Sequence, residues 1–411
     1  MKKWIPFLLT FCAFAFSLSG CGAEKKPLPE INLTIWCDDS NIEFLKTSLD
    51  DFKKLYESDA VFNVAFGAES EISCKETVLA NPETAADIFV FADDQFDDLR
   101  RGGALLEITE NADAVIDSVG GRESGAAKAA MYDGKLYAYP ETAGNGYFLY
   151  YRPSYFSEKD VETLDGILAI AEKNGKQFTM DFSSGWYLYS FFKGAGLDLS
   201  YDAEAGRNIC DWNAKDKKYA GLAVAQAMAR IASHKGFVAL TDENFQKGAA
   251  EGSIIAAVNG AWNYENLQRA WGDDVAAAKL PTYTLDGEQV QMCSFTGYKL
   301  VGVNAYSKEP LWSMRLAEYI TGKDVQLKRF EVIGECPANL EAASSDEVQA
   351  SPAMRALSAQ SRFGYTQNVA DPFWNAAALL GTTIAAGNPD GKDMQELLDR
   401  MVEATQQPVA Q

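Results

Sequence analysis

Histidine is nearly missing from this chain: His234 is the only one in 411 residues. That removes multi-histidine zinc sites and any nucleophile triad not built on this one imidazole. Followed by Lys235 and Gly236, His234 is more simply a residue that caps a helix C-terminus. No G-x-S-x-G, P-loop or G-x-G-x-x-G fingerprint is present. The lysines after Gly134, Gly175, Gly322 and Gly391 lead into Leu, Gln or Asp, where a phosphate-binding loop needs Ser or Thr. Basic residues are in deficit, 37 against 58 acids, for a formal charge of −21. Nucleic acid and anionic lipid surfaces, which need a basic face, are therefore excluded as partners, and the acidity serves solubility. Cysteine is sparse. Beyond Cys12 and Cys21 the five at 37, 74, 210, 293 and 336 form no CxxC and leave an odd number, so no disulfide framework, metal site or cofactor is expected, and at most Cys37 could pair with Cys74.

What is present begins with Lys2 and Lys3 ahead of an apolar run over residues 4–19, the basic and hydrophobic parts of an export signal. The run is shorter than the ~20 residues a membrane span requires. Leu18-Ser19-Gly20-Cys21 resembles a bacterial lipobox, which implies cleavage after residue 20 and a lipidated Cys21. Residues 21–30, broken by Pro27 and Pro29, suit a tether, and a diacylglycerol on Cys21 would supply the two chains that stable anchoring takes. The expected location is the outer face of the bacterial cytoplasmic membrane.

The roughly 390 residues that follow exceed what one core usually organises, so two lobes are expected. Strand patterns at 33–37, 62–66 and 87–91 alternate with an amphipathic helix over 41–56, whose Phe44, Leu45, Leu49, Phe52 and Leu55 should face inward. Helices near 163–174, 214–233 and 241–251 and a strand at 254–258 repeat that grammar, and helices at 371–386 and 393–404 close the chain, with Pro372 in a first turn. Short apolar strands between helices make the fold α/β, with mostly parallel sheets. Residues 135–151, KLYAYPETAGNGYFLYY, hold two β-type runs, 136–140 and 147–151, around Gly144 and Gly146. Glycine bends there without a Cβ penalty, which suits a first crossing between lobes.

Six segments then carry a resemblance: LTIWCDD (33–39), ADIFVFADDQFDDLRRGGALLEIT (86–109), YDGKLYAYP (132–140), AAVNGAW (256–262), LPTY (280–283) and DPFWNA (371–376). In this order they are similar to the maltose/maltodextrin-binding proteins of ABC sugar importers, within the extracellular solute-binding lipoproteins. The resemblance implies a two-lobed periplasmic-binding-protein fold of type II, with three inter-lobe crossings and a ligand cleft. The lobes would comprise 31–142 with 298–345 and 147–293 with 350–411, hinged near 143–146, 294–297 and 346–349. It further implies a monomer that hands α-glucan oligosaccharides to importer permease subunits. Capture would proceed by hinge closure, the ligand's contacts with both lobes favouring the closed state.

A sugar ring needs an aromatic platform for its C–H face and polar partners for its hydroxyls. Covering roughly 50 Å2 of each face at ~25 cal/mol per Å2 contributes on the order of 1 kcal/mol per platform, so several aromatics and several acids must converge. By motif position the resemblance implies stacking by Phe91, Trp262 and Trp374, with Trp186 where a ligand-contacting tyrosine is expected and Tyr187 its less favoured alternative. Asp94 falls at a ligating aspartate, and Gln95 stands where the best-known maltose binders carry arginine. Asp38 or Asp39 fits an early aspartate, with Asp39 carried as the candidate. Asp181 and Glu141 are balanced between site and scaffold, Tyr139 and Tyr298 lie near presumed crossings, and Asn145 offers an amide where relatives often place an acid. Without the resemblance, Trp262 and Trp374 would be core and Asp94 a helix-start acid. Two other readings remain open. The acids Asp39, Asp94 and Asp181 with aromatic walls could cage a cationic solute such as a polyamine, and an exported glycosidase needs only two carboxylates.

Overall fold

The computed structural model describes residues 27–202 and 205–408. The export signal, Cys21 and residues 22–26 of the tether lie outside the described residues. Among the described residues no helix is long and apolar enough to cross a membrane.

Two five-stranded sheets organise the chain. In the first the order is Val61–Ala68, Glu30–Cys37, Ile88–Ala92, Tyr298–Val303, Ala138–Ala143. In the second it is Phe237–Val238, Gln177–Thr179, Ile254–Gly260, Tyr147–Tyr151, Ala276–Ala278. Each sheet starts with three parallel strands and then takes an antiparallel fourth. That fourth strand, Tyr298–Val303 or Tyr147–Tyr151, is the one by which the chain arrives from the other lobe. Strand Glu30–Cys37, second in its sheet, alternates buried and open positions, so Ile31, Leu33, Ile35 and Cys37 face in. Central strands Ile88–Ala92 and Tyr147–Tyr151 are buried on both faces and read as continuous apolar runs.

Helices cover the sheets. Helix Asp39–Leu55 turns Phe44, Leu45, Leu49 and Phe52 inward, but Leu55 is 62% exposed. Tyr56 takes the inward place instead, against Phe52, Phe62 and Trp312. The expected helix over 214–233 begins only at Gly221, where a Cβ would come 1.7 Å from the Trp212 carbonyl oxygen; the polar residues before it form turns. All five described cysteines are free, Cys37 and Cys74 included.

The chain passes between lobes three times. The first passage runs through Gly144, at φ +74°, a conformation that only glycine adopts freely. The second runs through Gly297, where an added Cβ would come 2.7 Å from the Asp93 carboxylate. The third is expected near 346–349, where Asp346–Ala350 is helical and Val348 shares a buried cluster with Phe148 and Tyr150.

Beneath these passages a buried ion network holds the first lobe together. Arg329 bonds Glu141 at 2.5 Å and Glu335 at 3.1 Å, and Lys299 reaches Glu335 and Glu71, each at 2.7 Å. Although burial opposes it, Lys299 and Arg329 hold Glu335 well below the usual carboxylate range. Burial raises Glu141 despite Arg329, as suits the third acid among two cations.

Candidate functional site

The cleft lies outside the carboxyl ends of the central strands, where open α/β sheets place ligands. On the first lobe, strand Ile88–Ala92 runs into a 3-10 turn, Asp93–Gln95. Asp94 Oδ2 accepts a 2.6 Å bond from Gln367 Nε2, while its Oδ1 is buried without a protein partner. Burial pushes Asp94 up to about 6 although the Gln367 bond opposes it. Asp93 rises to about 8, by burial first and then by the charge of Asp94.

On the second lobe the aromatic wall is built from two element starts. Trp186 sits in the first turn of helix Gly185–Gly194 and Trp262 in the 3-10 turn Ala261–Asn263. Their ring centroids are 5.7 Å apart at a 37° tilt. Trp262 Nε1 donates to Asp242 Oδ2 at 3.1 Å, and Asp242 also accepts from Asn259 at 2.6 Å and Asn263 at 3.2 Å. Tyr147 backs Trp186, its ring 4.6 Å away and its hydroxyl donating to the Trp186 carbonyl at 2.7 Å. Trp186 Nε1 donates to Gln367 Oε1 at 3.0 Å, so a single carboxamide joins Trp186 to Asp94 across the cleft. Trp374 opens helix Pro372–Ala385, half-buried, 6.1 Å from Phe295. Asp181 is half-buried and accepts from the Ser183 amide at 2.7 Å and hydroxyl at 2.5 Å; burial raises its pKa despite those bonds.

Two expected contacts, Phe91 and Gln95, and two residues left open, Glu141 and Tyr139, are buried in the scaffold. Phe91 is fully buried, its ring 5.9 Å from Phe89 and close to Leu105 in the first lobe's core. With no exposed surface, it offers no face to a ligand. Gln95 spends its amide on the scaffold: Oε1 accepts from the Lys75 amide at 3.1 Å, and Nε2 donates to the carbonyls of Glu71 and Ile72 at 2.7 and 2.8 Å. Glu141 is fully buried against Arg329, and Tyr139 is core. Of the early pair, Asp38 caps helix Asp39–Leu55 through Ser40, and Asp39 is the exposed member. Asn145 is half-buried at the first passage, its backbone N–H donating to the Gly297 carbonyl at 2.9 Å. Tyr298 is half-buried at the second, and its amide bonds the Asp93 carboxylate.

The structure adds Gln367, Lys75, Asp371, Asp242 and Tyr147, none of which had been singled out. Lys75 Nζ meets Asp371 at 2.9 and 3.1 Å across the cleft. Asp371 opens DPFWNA and Asp242 opens a helix, so each passes as a helix-start acid. Gln367 and Lys75 belong to no motif. His234 is remote from all this, its Nδ1 accepting from the Gly236 amide at 3.0 Å. Among the described residues no cluster of His, Cys, Asp and Glu could hold a metal ion.

Comparison with known proteins follows the same lines. The profile of a family described as bacterial extracellular solute-binding protein matches residues 50–356. The galactooligosaccharide-binding protein of Bacillus subtilis (strain 168) is 26% identical over 425 residues, taking in 98% of this chain and 96% of that protein. A structure solved with acarbose superposes with a TM-score of 0.81 at 28% identity, covering 92% of this chain and 98% of that one. The maltodextrin-binding protein MalE1 from L. casei BL23, solved without ligand, gives a TM-score of 0.75 at 25% identity, covering 92% and 99%.

Proposed function

The chain belongs to the bacterial extracellular solute-binding protein family, and from that premise we propose that it captures oligosaccharides, maltodextrins first, between its lobes for delivery to an ABC importer. The observation that carries the choice of ligand is the carboxamide of Gln367. It donates to Asp94 and accepts from the Trp186 indole at once. A ligand group taking over that position must do both, as a hydroxyl does. An ammonium only donates, so a polyamine would leave the indole N–H unpaired, at ~1 to 3 kcal/mol for a buried donor. Beside this point the paired rings of Trp186 and Trp262, with Trp374 farther along, suit the apolar faces of successive sugar rings.

Galacto-oligosaccharides are the second reading, favoured by the Bacillus relative. Asp94, Trp186, Trp262 and Trp374 are the proposed contacts, with Asp39, Asn145 and Asp181 toward the rim. Phe91 and Gln95 are scaffold. The chain acts by binding and release rather than by catalysis, tethered through lipid on Cys21 and presented to permease subunits as a closed monomer. A thermal-shift screen with maltotriose, galactotriose and spermidine tests the ligand class, because binding stabilises by RT ln(1 + [L]/Kd). A shift with a trisaccharide and none with spermidine is expected. The reverse would replace the sugar reading with the cation reading.

A further inference from the structure

We propose that Gln367 is an internal competitor for the cleft, a side chain that holds the lobes together in the place a ligand hydroxyl would take, and so sets both affinity and selectivity. This rests on the reading of the cleft as a site for hydroxylated ligands. The geometry has three parts.

Gln367 bridges the lobes with both ends of its amide, 2.6 Å to Asp94 and 3.0 Å to Trp186. Four residues on, Asp371 bridges them again through Lys75, at 2.9 and 3.1 Å. Burial works against the Lys75 charge, but Asp371 outweighs it and the lysine pKa is raised. Both bridges thus leave the second lobe from one short segment and land on two neighbouring pieces of the first.

That segment is firmly seated. The Gln367 backbone N–H donates to the Thr296 carbonyl at 3.2 Å and the Tyr201 backbone N–H to the Asn368 carbonyl at 2.9 Å. Asn208 bonds Ala370 in both directions, at 3.0 and 2.8 Å. The opposite anchor is equally fixed, because Gln95 ties the Lys75 amide to the Glu71 and Ile72 carbonyls. The two side chains therefore meet partners already in position, and little ordering entropy offsets the contact.

Two consequences follow. The chain closes on itself without sugar, and each ligand must first displace Gln367 from Asp94 and Trp186. The clasp lowers affinity for every ligand but least for one that both donates and accepts there, since only that ligand restores what is broken. Removing the clasp stabilises nothing in the liganded form and releases the competing closed form, so binding tightens.

The test uses the mature chain, wild type against Gln367→Leu and Lys75→Met, both close in size to the native side chains. Small-angle scattering without sugar reads the clasp directly. The wild type should be more compact than either variant, and the double variant the most open. Calorimetry should then give maltotriose a several-fold lower Kd in Gln367→Leu. Unchanged scattering in Gln367→Leu overturns the clasp whatever the chain binds. So does unchanged or weaker maltotriose binding in that variant, which would make Gln367 an inert neighbour or an ordinary ligand contact. Should the wild type bind no sugar, the sugar reading fails while the scattering comparison still decides the clasp. A far-ultraviolet melt checks folding; if Gln367→Leu is unfolded, Gln367→Glu, which sets a carboxylate against Asp94, must open the lobes or the proposal falls.

Discussion

Trp262→Ala and Trp262→Phe together separate ligand binding from folding at one residue. The Trp262 ring lies over the backbone of Gly260, where an added Cβ would come 1.9 Å from the indole, and it neighbours the Trp186 ring at 5.7 Å. One indole surface is thus fixed by the protein and the remainder is offered to the cleft. A sugar face covering roughly 50 Å2 of it, at ~25 cal/mol per Å2, contributes about 1.2 kcal/mol, close to a tenfold change in Kd. The fold loses something different. Asp242 forfeits one of three donors, its 3.1 Å bond from Trp262 Nε1, and keeps Asn259 and Asn263. A hydrogen bond to a charged group contributes ~1.5 to 3 kcal/mol, so the melting temperature should fall as well. Trp262→Phe divides the two effects, since it keeps a ring for the sugar and removes only the N–H. Calorimetry with maltotriose should show about tenfold weaker binding in the alanine variant and within about threefold of wild type in the phenylalanine variant, while both melt lower. Equal affinity in a folded Trp262→Ala would remove this tryptophan from the site.

Two further perturbations probe the scaffold. Arg329→Met should cost ~3 to 5 kcal/mol in urea unfolding, because it leaves Glu141 and Glu335 buried without their guanidinium; a loss under 1 kcal/mol would mean that Lys299 alone neutralises the network. Asp93, ordinarily near 3.8 and here raised to about 8 by burial and Asp94, binds its proton more tightly folded than unfolded. Its contribution is therefore full below about pH 4 and is lost as pH rises through about 8. Asp93→Asn, which can still accept from the Tyr298 amide, should gain stability relative to wild type between pH 5 and pH 8, the gap growing with pH. A constant gap across that range would contradict the assignment.

Much of the fold was legible in the residues. The strand pattern at 33–37 falls within Glu30–Cys37, the apolar run at 147–151 is the strand Tyr147–Tyr151, and the bend expected around Gly144 and Gly146 has Gly144 at φ +74°. Of the proposed contacts, Trp186, Trp262 and Trp374 stood out in the sequence as aromatic residues that open elements, and Asp94 as an acid at a strand end. Phe91 misled because a strand buried on both faces gives no signal of which side its rings take. Gln95 misled because its partners, Glu71, Ile72 and Lys75, are set by tertiary packing some twenty residues away. Gln367 escaped notice for the same reason: its meaning comes from Asp94 and Trp186, 273 and 181 residues earlier in the chain, and no local pattern records it.

The central claim, capture of a neutral oligosaccharide in the cleft between Asp94 and the tryptophan wall, is tested most directly by calorimetric titration of the mature chain with maltotriose. One saturable site is predicted, with a Kd in the micromolar range or tighter, about −8 kcal/mol, and with a negative heat-capacity change from burial of the sugar faces. No saturable heat with maltotriose, and none with galactotriose under the same conditions, would contradict it.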